Sequence, residues 1–448
     1  MSVHASLVLR DMFGTEGMRE IFSDAARTRK YLLIEVALAK VESELGIIPS
    51  AAYDEIKAGA ATFEIDWERL RQDTHTIGTP VLPMLRQFTE VCGAAGAYLH
   101  WGSNTRDITD TALVLQIGEA LDLISMELSA IKVALADLAS RHRATVTIGR
   151  THGMHALPTT FGLRAAIWLA EVDRQIVRLD ATRGLLKEGQ FGGVVGTLAA
   201  LGARGLDVQQ ALLQELGLRA PVVSWFASRD RIADVICTLS QIAGTMASIG
   251  RTIVSMARTE VAEASEPDVK GRGTSSSMPQ KHNTVGSELA IVYSRTIAQM
   301  LPLVFDAMVQ DYDRDYQGHY ETIVVPEAFL LAHASLVQMR HVLEGLHVDP
   351  VRMRRNFELS HGTIMAESLM MALAPRIGRK NAHERVSEAC VKAVRQGIEL
   401  KTIVSGDPAF TTYLSAAEIE HALSPESYIG LADTIITNVL QASDGGRR

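Results

Sequence analysis

Cysteine is scarce: the 448 residues hold three, Cys92, Cys237 and Cys390, far apart and odd in number. That excludes a disulfide framework and any Cys-x-x-Cys metal spacing, and it fits a reducing cytoplasm. Positive charge is also in short supply. Lysine plus arginine total 44 against 52 acidic residues, a net charge of −8. The chain therefore lacks the basic face that a nucleic-acid partner requires. No uncharged apolar run reaches the roughly 18 residues of a membrane span. The N-terminal MSVHASLVLRDMFG has no basic region ahead of an apolar stretch, so neither a membrane partner nor a secretory signal is expected. Fixed-period repeats and low-complexity tracts are absent. Strand signals are few, confined to Val146-Thr147-Ile148 and the segment 192–198. Without regular alternation of strands and helices, a parallel α/β sheet is not expected.

What is abundant is helix periodicity. Apolar residues make up 47% and charged residues 21% of the chain, the composition of a protein with a packed core. At roughly 100–200 residues per domain, the length allows two to four domains. Over 230–263, Ile232, Ile236, Leu239, Ile242, Met246, Ile249, Ile253 and Met256 recur by threes and fours, one stripe of a long helix. The span 110–142 is apolar on more than one side, as in a helix surrounded by others. Further helices are expected over 18–46, 158–185, 284–310, 326–347 and 363–374, with Pro326 in a first turn. Helices this long and many-sided point to a bundle completed by other subunits.

Three polar segments carry candidate chemistry. The first is His100-Trp101-Gly102-Ser103-Asn104-Thr105-Arg106-Asp107-Ile108-Thr109-Asp110-Thr111. Its donors fit a carboxylate at a helix N-terminus, and equally a plain cap at Thr109 or Asp110. The second, Gly149-Arg150-Thr151-His152-Gly153-Met154-His155, offers histidines for proton transfer near neutrality. No nearby Asp or Glu completes a metal set, so a structural or surface pair is the plain alternative. The third follows the loop 266–277 and reads Gly273-Thr274-Ser275-Ser276-Ser277-Met278-Pro279-Gln280-Lys281-His282-Asn283. It is neither a P-loop nor a Gly-x-Ser-x-Gly elbow. Hydroxyls followed by Lys and Asn suit an anion site, or a simple polar linker.

Taken together and in this order, the segments resemble the three signature regions of the fumarase/aspartase superfamily, over nearly the whole chain. Thr274 to Thr284 is similar to its Gly-Ser-Ser-x-Met-Pro-x-Lys-x-Asn-Pro loop, and Gly192-Gly193-Val194-Val195-Gly196-Thr197-Leu198-Ala199 also looks like this superfamily. Within it, Met12-Phe13-Gly14, Gly78-Thr79-Pro80-Val81-Leu82-Pro83 and Arg314 resemble 3-carboxy-cis,cis-muconate cycloisomerase. His152, where those cycloisomerases carry Trp, and Asp313-Arg314-Asp315 resemble adenylosuccinate lyase. Met154 stands where the lyases have Gln, and their nucleotide-binding residues are not recognisable. Nitrosuccinate lyase is a known relative of this mixed kind.

The resemblance implies an all-α, three-domain fold (1–109, 110–360 and 361–448) whose central long-helix bundle is completed by tetramerisation. It implies β-elimination from a substituted succinate or aspartate to give fumarate, with lactonisation of a carboxymuconate as the alternative. By position, Ser275 matches the base and Lys281 the cation that stabilises its alkoxide. His152 matches the residue assisting the leaving group, and Glu288 the carboxylate that orients it. Ser103, Asn104, Thr105, Arg106, Thr151, Ser276, Met278 and Asn283 align with substrate-binding positions, and Arg314 suits a clamp on a second anionic group. Thr274 and Thr284 replace the family's Gly and Pro, and Asn104-Thr105 its commoner Thr-Ser. No cofactor or metal is implied, the substrate is a small dicarboxylate, and the active sites are shared between subunits of a homotetramer.

Overall fold

The computed structural model describes residues 6–316 and 319–445. Helices account for most of it, as expected. The run expected over 18–46 is two helices, α1 (Glu16–Ile21) and α2 (Asp24–Glu44), because the Ser23 hydroxyl caps the second by accepting the Ala26 N–H. Helix α3 spans Trp67–Ile77 and ends at Gly78, whose φ of 87° is the left-handed conformation that glycine adopts without strain.

The long helix α4 spans Thr105–Arg141, beginning five residues before the expected start at 110. Its cap is Asn104 rather than Thr109 or Asp110. The Asn104 side chain accepts the Arg106 N–H, and the Asp107 carboxylate returns to the Asn104 N–H at 3.0 Å. This reciprocal box fixes the first turn.

Next comes an antiparallel hairpin, β1 (Val146–Thr151) and β2 (Met154–Thr160), with Val146 opposite Thr160 and Thr151 opposite Met154. The second strand was not expected. It delays helix α5 (Phe161–Leu185) to three residues beyond the expected start. Helix α6 (Asp230–Met256) stops seven residues short of its expected end, with Ala262 at a φ of 49° and the Glu263 N–H returning to the Met256 carbonyl. A two-residue strand β3 (Ala264–Ser265) follows.

The expected helix over 284–310 is α7 (Val285–Ala298) and α8 (Leu301–Asp306), divided just before Pro302. Helix α9 (Tyr320–Glu344) contains Pro326 in its interior rather than in its first turn. The carbonyl of Thr322 therefore cannot receive its usual helical donor. Strand β4 (His347–Val348) pairs with β3, and helix α10 spans Ala366–Ile377.

The segment 192–198 is not a strand. Gly193 and Gly196 have φ of 72° and 83°, and the N–H groups of Gly192 and Gly193 go to the Asp107 carboxylate at 2.7 and 3.0 Å instead of to a ladder. Helices α6 and α9 are long and apolar enough to span a membrane by length and composition, but 61% and 67% of their most apolar windows is buried inside the protein, as in core helices.

The chain forms two compact units: Met1–Glu127, Gln175–Gly244 and Tyr293–Leu336 make the first, and Leu128–Arg174, Thr245–Val292 and Val337–Arg448 the second. In the first unit, Ile34, Ile56, Met84, Phe88 and Ile108 form one apolar cluster, and Leu38, Phe191, Val208 and Leu212 another. In the second, Leu369, Leu373, Val386, Leu400 and Phe410 pack together, while Ile148 of β1 is seated on Phe357, Ile364 and Met365.

Candidate active site

The first unit gathers Thr105, Arg106 and Arg314 on the wall of a cavity of about 1340 Å³. The opening turn of α4 orients them. Asn104 is buried and fully engaged. Its amide donates to the carbonyls of Gly193 (3.0 Å) and Val194 (3.4 Å), and its oxygen accepts from Arg314 at 2.9 Å. It is thus the joint tying the 192–194 segment, α4 and Arg314 together. Ser103 donates to the carbonyl of His100 and lies outside the cavity lining. Asp107 sits below this turn, and burial pushes it up to about 6 against the pull of its N–H donors.

One turn further along α4, Asp110 faces a buried charge cluster. Arg229 donates to both Asp110 oxygens at 3.0 and 3.1 Å and to both oxygens of Glu321, and its guanidinium lies 5.1 Å over the Trp225 ring. Against the cost of burial, the two carboxylates hold Arg229 above its ordinary value. Burial pushes Glu321 up, against the pull of Arg229. Arg106 reaches the same Asp110 at 3.2 Å through Nη1, while its buried Nη2 has no partner. Two cations therefore share two anions, and Arg106 keeps donor capacity facing the cavity. The Thr109 hydroxyl, also on the lining, is buried without a partner. Thr109 is missed as a site residue in the sequence because its position reads equally well as a cap.

In the second unit, Thr151 and His152 stand at the tip of the hairpin. His152 and Gly153, with φ of 54° and 80°, form the two-residue turn. This is the twist-matched hairpin geometry that usually carries Asn-Gly. Both Thr151 and His152 are exposed. The base of the hairpin is rigid. Arg150 grips the fully buried Glu263 at 2.8 and 2.6 Å, and Asn356 donates to the same carboxylate at 2.8 Å. Burial and the Arg150 charge push His155 below the usual histidine range.

The serine loop belongs to the same unit. Its ends are stapled by Glu266, whose carboxylate accepts the N–H groups of Gly286 (3.2 Å) and Ser287 (2.7 Å) in the first turn of α7. An anion there complements the helix dipole. Inside the loop, the Asn283 backbone and side-chain N–H groups both donate to the Gly273 carbonyl, at 2.9 and 3.0 Å. Gly273 has a φ of 68°, and an added Cβ would lie 2.5 Å from the Asn283 carbonyl, so only glycine fits. Within this ring the Ser275 hydroxyl oxygen accepts the Met278 N–H at 3.1 Å and the Ser277 N–H at 3.4 Å. Ser276, Met278 and Lys281 are exposed around it. Glu288, one turn into α7, is exposed and accepts from Thr284 at 3.1 Å. No hydrogen bond or ion pair joins it to His152 among the described residues.

The two units therefore hold different halves of the inventory: carboxylate-gripping donors on a cavity in one, and a hydroxyl in a nest of N–H groups with an exposed histidine in the other. Glu263 and Glu266 are legible only in the structure, because their partners lie far away in the chain.

Comparison with known proteins agrees with this inventory. Residues 13–298 match the lyase family, and residues 362–439 match the adenylosuccinate lyase C-terminus. A 3-carboxy-cis,cis-muconate cycloisomerase of Bradyrhizobium diazoefficiens is 37% identical, covering 99% of each chain. An N-acetyl-S-(2-succino)cysteine lyase of Dickeya dadantii is 32% identical over 98% of this chain and 97% of its own. The crystal structure of a fumarate lyase from Mesorhizobium sp. BNC1 is 40% identical, with a TM-score of 0.91 over 96% of this chain and 98% of that one. With a family match across well over half its length and relatives of this identity along nearly all of it, the chain belongs to the fumarase/aspartase, or fumarate lyase, superfamily.

Proposed function

We propose that this enzyme catalyses β-elimination from a substituted succinate or aspartate, with a C–N bond as the leading candidate for cleavage, releasing fumarate or a close analogue. The observation that carries the reading is the Ser275 oxygen held by two backbone N–H groups. A hydroxyl acts as a base only when its alkoxide is stabilised, and oriented amides in a loop do that. Lys281, three residues beyond the second of those amides, adds a cation.

In this mechanism Ser275 removes the proton from the carbon beside a carboxylate. The electron pair moves into that carboxylate, which becomes a doubly charged aci form. Arg106, Arg314, Thr105 and Asn283 meet that charge, and such preorganised donors supply the largest catalytic term in most enzymes. The pair then forms the C=C bond as the β-substituent leaves, taking a proton from His152. Glu288 orients that histidine. Because Ser275, His152 and the Arg106 cluster are carried by separate segments, we propose a homotetramer whose active sites draw on neighbouring chains.

The test is spectroscopic. Full-length enzyme is given β-substituted succinates, and fumarate is followed by its ultraviolet absorbance. Ser275→Ala is expected to abolish release while circular dichroism stays unchanged, since the loop is outside the core. Wild-type turnover by that variant overturns the base assignment. The similarity to a named cycloisomerase supports one second reading, lactonisation of 3-carboxy-cis,cis-muconate. Lactone formation without fumarate from any succinate would establish it instead.

A further inference from the structure

The cavity of the first unit is far larger than a four-carbon dicarboxylate needs. At about 1340 Å³ it exceeds the roughly 300–1,000 Å³ of pockets that hold drug-sized ligands. It also has two chemically distinct ends. One presents Arg106 Nη2 and the Thr109 hydroxyl, both buried and unpartnered, which calls for an acceptor such as a carboxylate. The other presents Trp67, an aromatic ring 45% exposed, and Arg27, whose nearest anion, Asp24, is 3.8 Å away. An exposed indole beside a loosely held guanidinium suits a ligand with a flat apolar portion and an anionic group of its own.

We infer that the substrate is a succinate joined through its heteroatom to a bulky substituent, with Arg106 and Thr109 gripping the succinyl carboxylate and Trp67 and Arg27 receiving the leaving group. This rests on the elimination reading above. Ammonia, water or nitrite as leaving group would use neither Trp67 nor Arg27. Thr109, Trp67 and Arg27 thereby become specificity-determining residues, separate from those that move protons.

The test compares aspartate, N-benzylaspartate and N-(4-carboxybenzyl)aspartate. Kd is measured by calorimetry on the full-length Ser275→Ala protein, and fumarate release on the otherwise native enzyme. The benzyl compound is expected to bind at least about tenfold tighter than aspartate, and its carboxylated form tighter still. Trp67→Ala should erase the benzyl advantage and leave aspartate unchanged. Arg27→Gln should remove only the added gain from the carboxylate. Thr109→Val should weaken all three alike. Equal affinities across the series, or a benzyl advantage untouched by Trp67→Ala, overturn the inference. If fumarate is released but without size preference, the inference falls and the lyase reading stands. If the bulky compounds bind tightly and no succinate yields fumarate, the elimination reading fails and takes the leaving-group assignment with it.

Discussion

Single side chains divide here between those that perform chemistry and those that record the cost of burial. His152 is of the first kind. It occupies a turn position with a φ of 54°, where asparagine or glycine would be easier to accommodate, and its ring is exposed at the hairpin tip. If it protonates the departing group, His152→Gln slows expulsion of poor leaving groups more than good ones. A series of β-substituted succinates graded by leaving-group pKa checks this through the slope of log kcat, and equal losses across the series would contradict the role. Glu42 is of the second kind. It is fully buried, both of its oxygens lack partners, and burial with the nearby charge of Glu35 pushes it up to about 9. The folded protein thus keeps a proton that the unfolded chain releases near 4.5. Stability from this group is complete below that value and declines as pH rises toward 9. Glu42→Gln cannot ionise, so it should flatten the fall of Tm between pH 5 and 8. A gain of about 2–4 °C at pH 8, the scale of ~1 kcal/mol, is expected from thermal unfolding.

At the scale of elements, the serine loop and the hairpin are both held at their bases and free at their tips. Glu266 closes the loop by capping α7 from twenty residues upstream. Glu266→Gln keeps an acceptor but loses the charge, and a charge-assisted bond is worth roughly 1.5–3 kcal/mol. Faster amide exchange over 267–284 is expected, with kcat lowered about tenfold and the exchange of α9 unchanged. Loss of kcat without any change in loop exchange would mean that Glu266 acts otherwise. These elements also mark where the sequence is legible. The long helices are, because stripes such as Ile232 to Met256 repeat at helical spacing. The start of α4 is not, because Thr109 and Asp110 are as good caps as Asn104, and only the return of Asp107 to the Asn104 N–H selects one. The hairpin is half legible: Val146-Thr147-Ile148 signals β1, but a His-Gly turn is not the usual hairpin dipeptide and hides β2. The glycines of 192–198 resemble a strand until Asp107 takes their N–H groups. Local propensity proposes, and distant side chains choose among the proposals.

For the whole molecule, the decisive question is which chains furnish one active site. The apolar surface of the long helices has no partner within a single chain at Met126, Val133, Ile167 and Val177, all more than half exposed, and exposed apolar residues in number mark association surfaces. In a closed symmetric oligomer, each site that borrows Ser275 from one chain and His152 from another can be rebuilt from two defective variants. Ser275→Ala and His152→Gln proteins, each inactive alone, are mixed, dissociated in mild denaturant and allowed to reassociate. If the two residues come from different chains, activity should return to about a quarter of the sites, the statistical share in which both positions are native, as expected for random assembly of such an oligomer. Size-exclusion chromatography with light scattering follows the mass, and fumarate absorbance follows the activity. A tetramer that reforms with no recovered activity would place Ser275 and His152 of each site on the same chain. A monomer that turns over substrate would remove the need for sharing altogether.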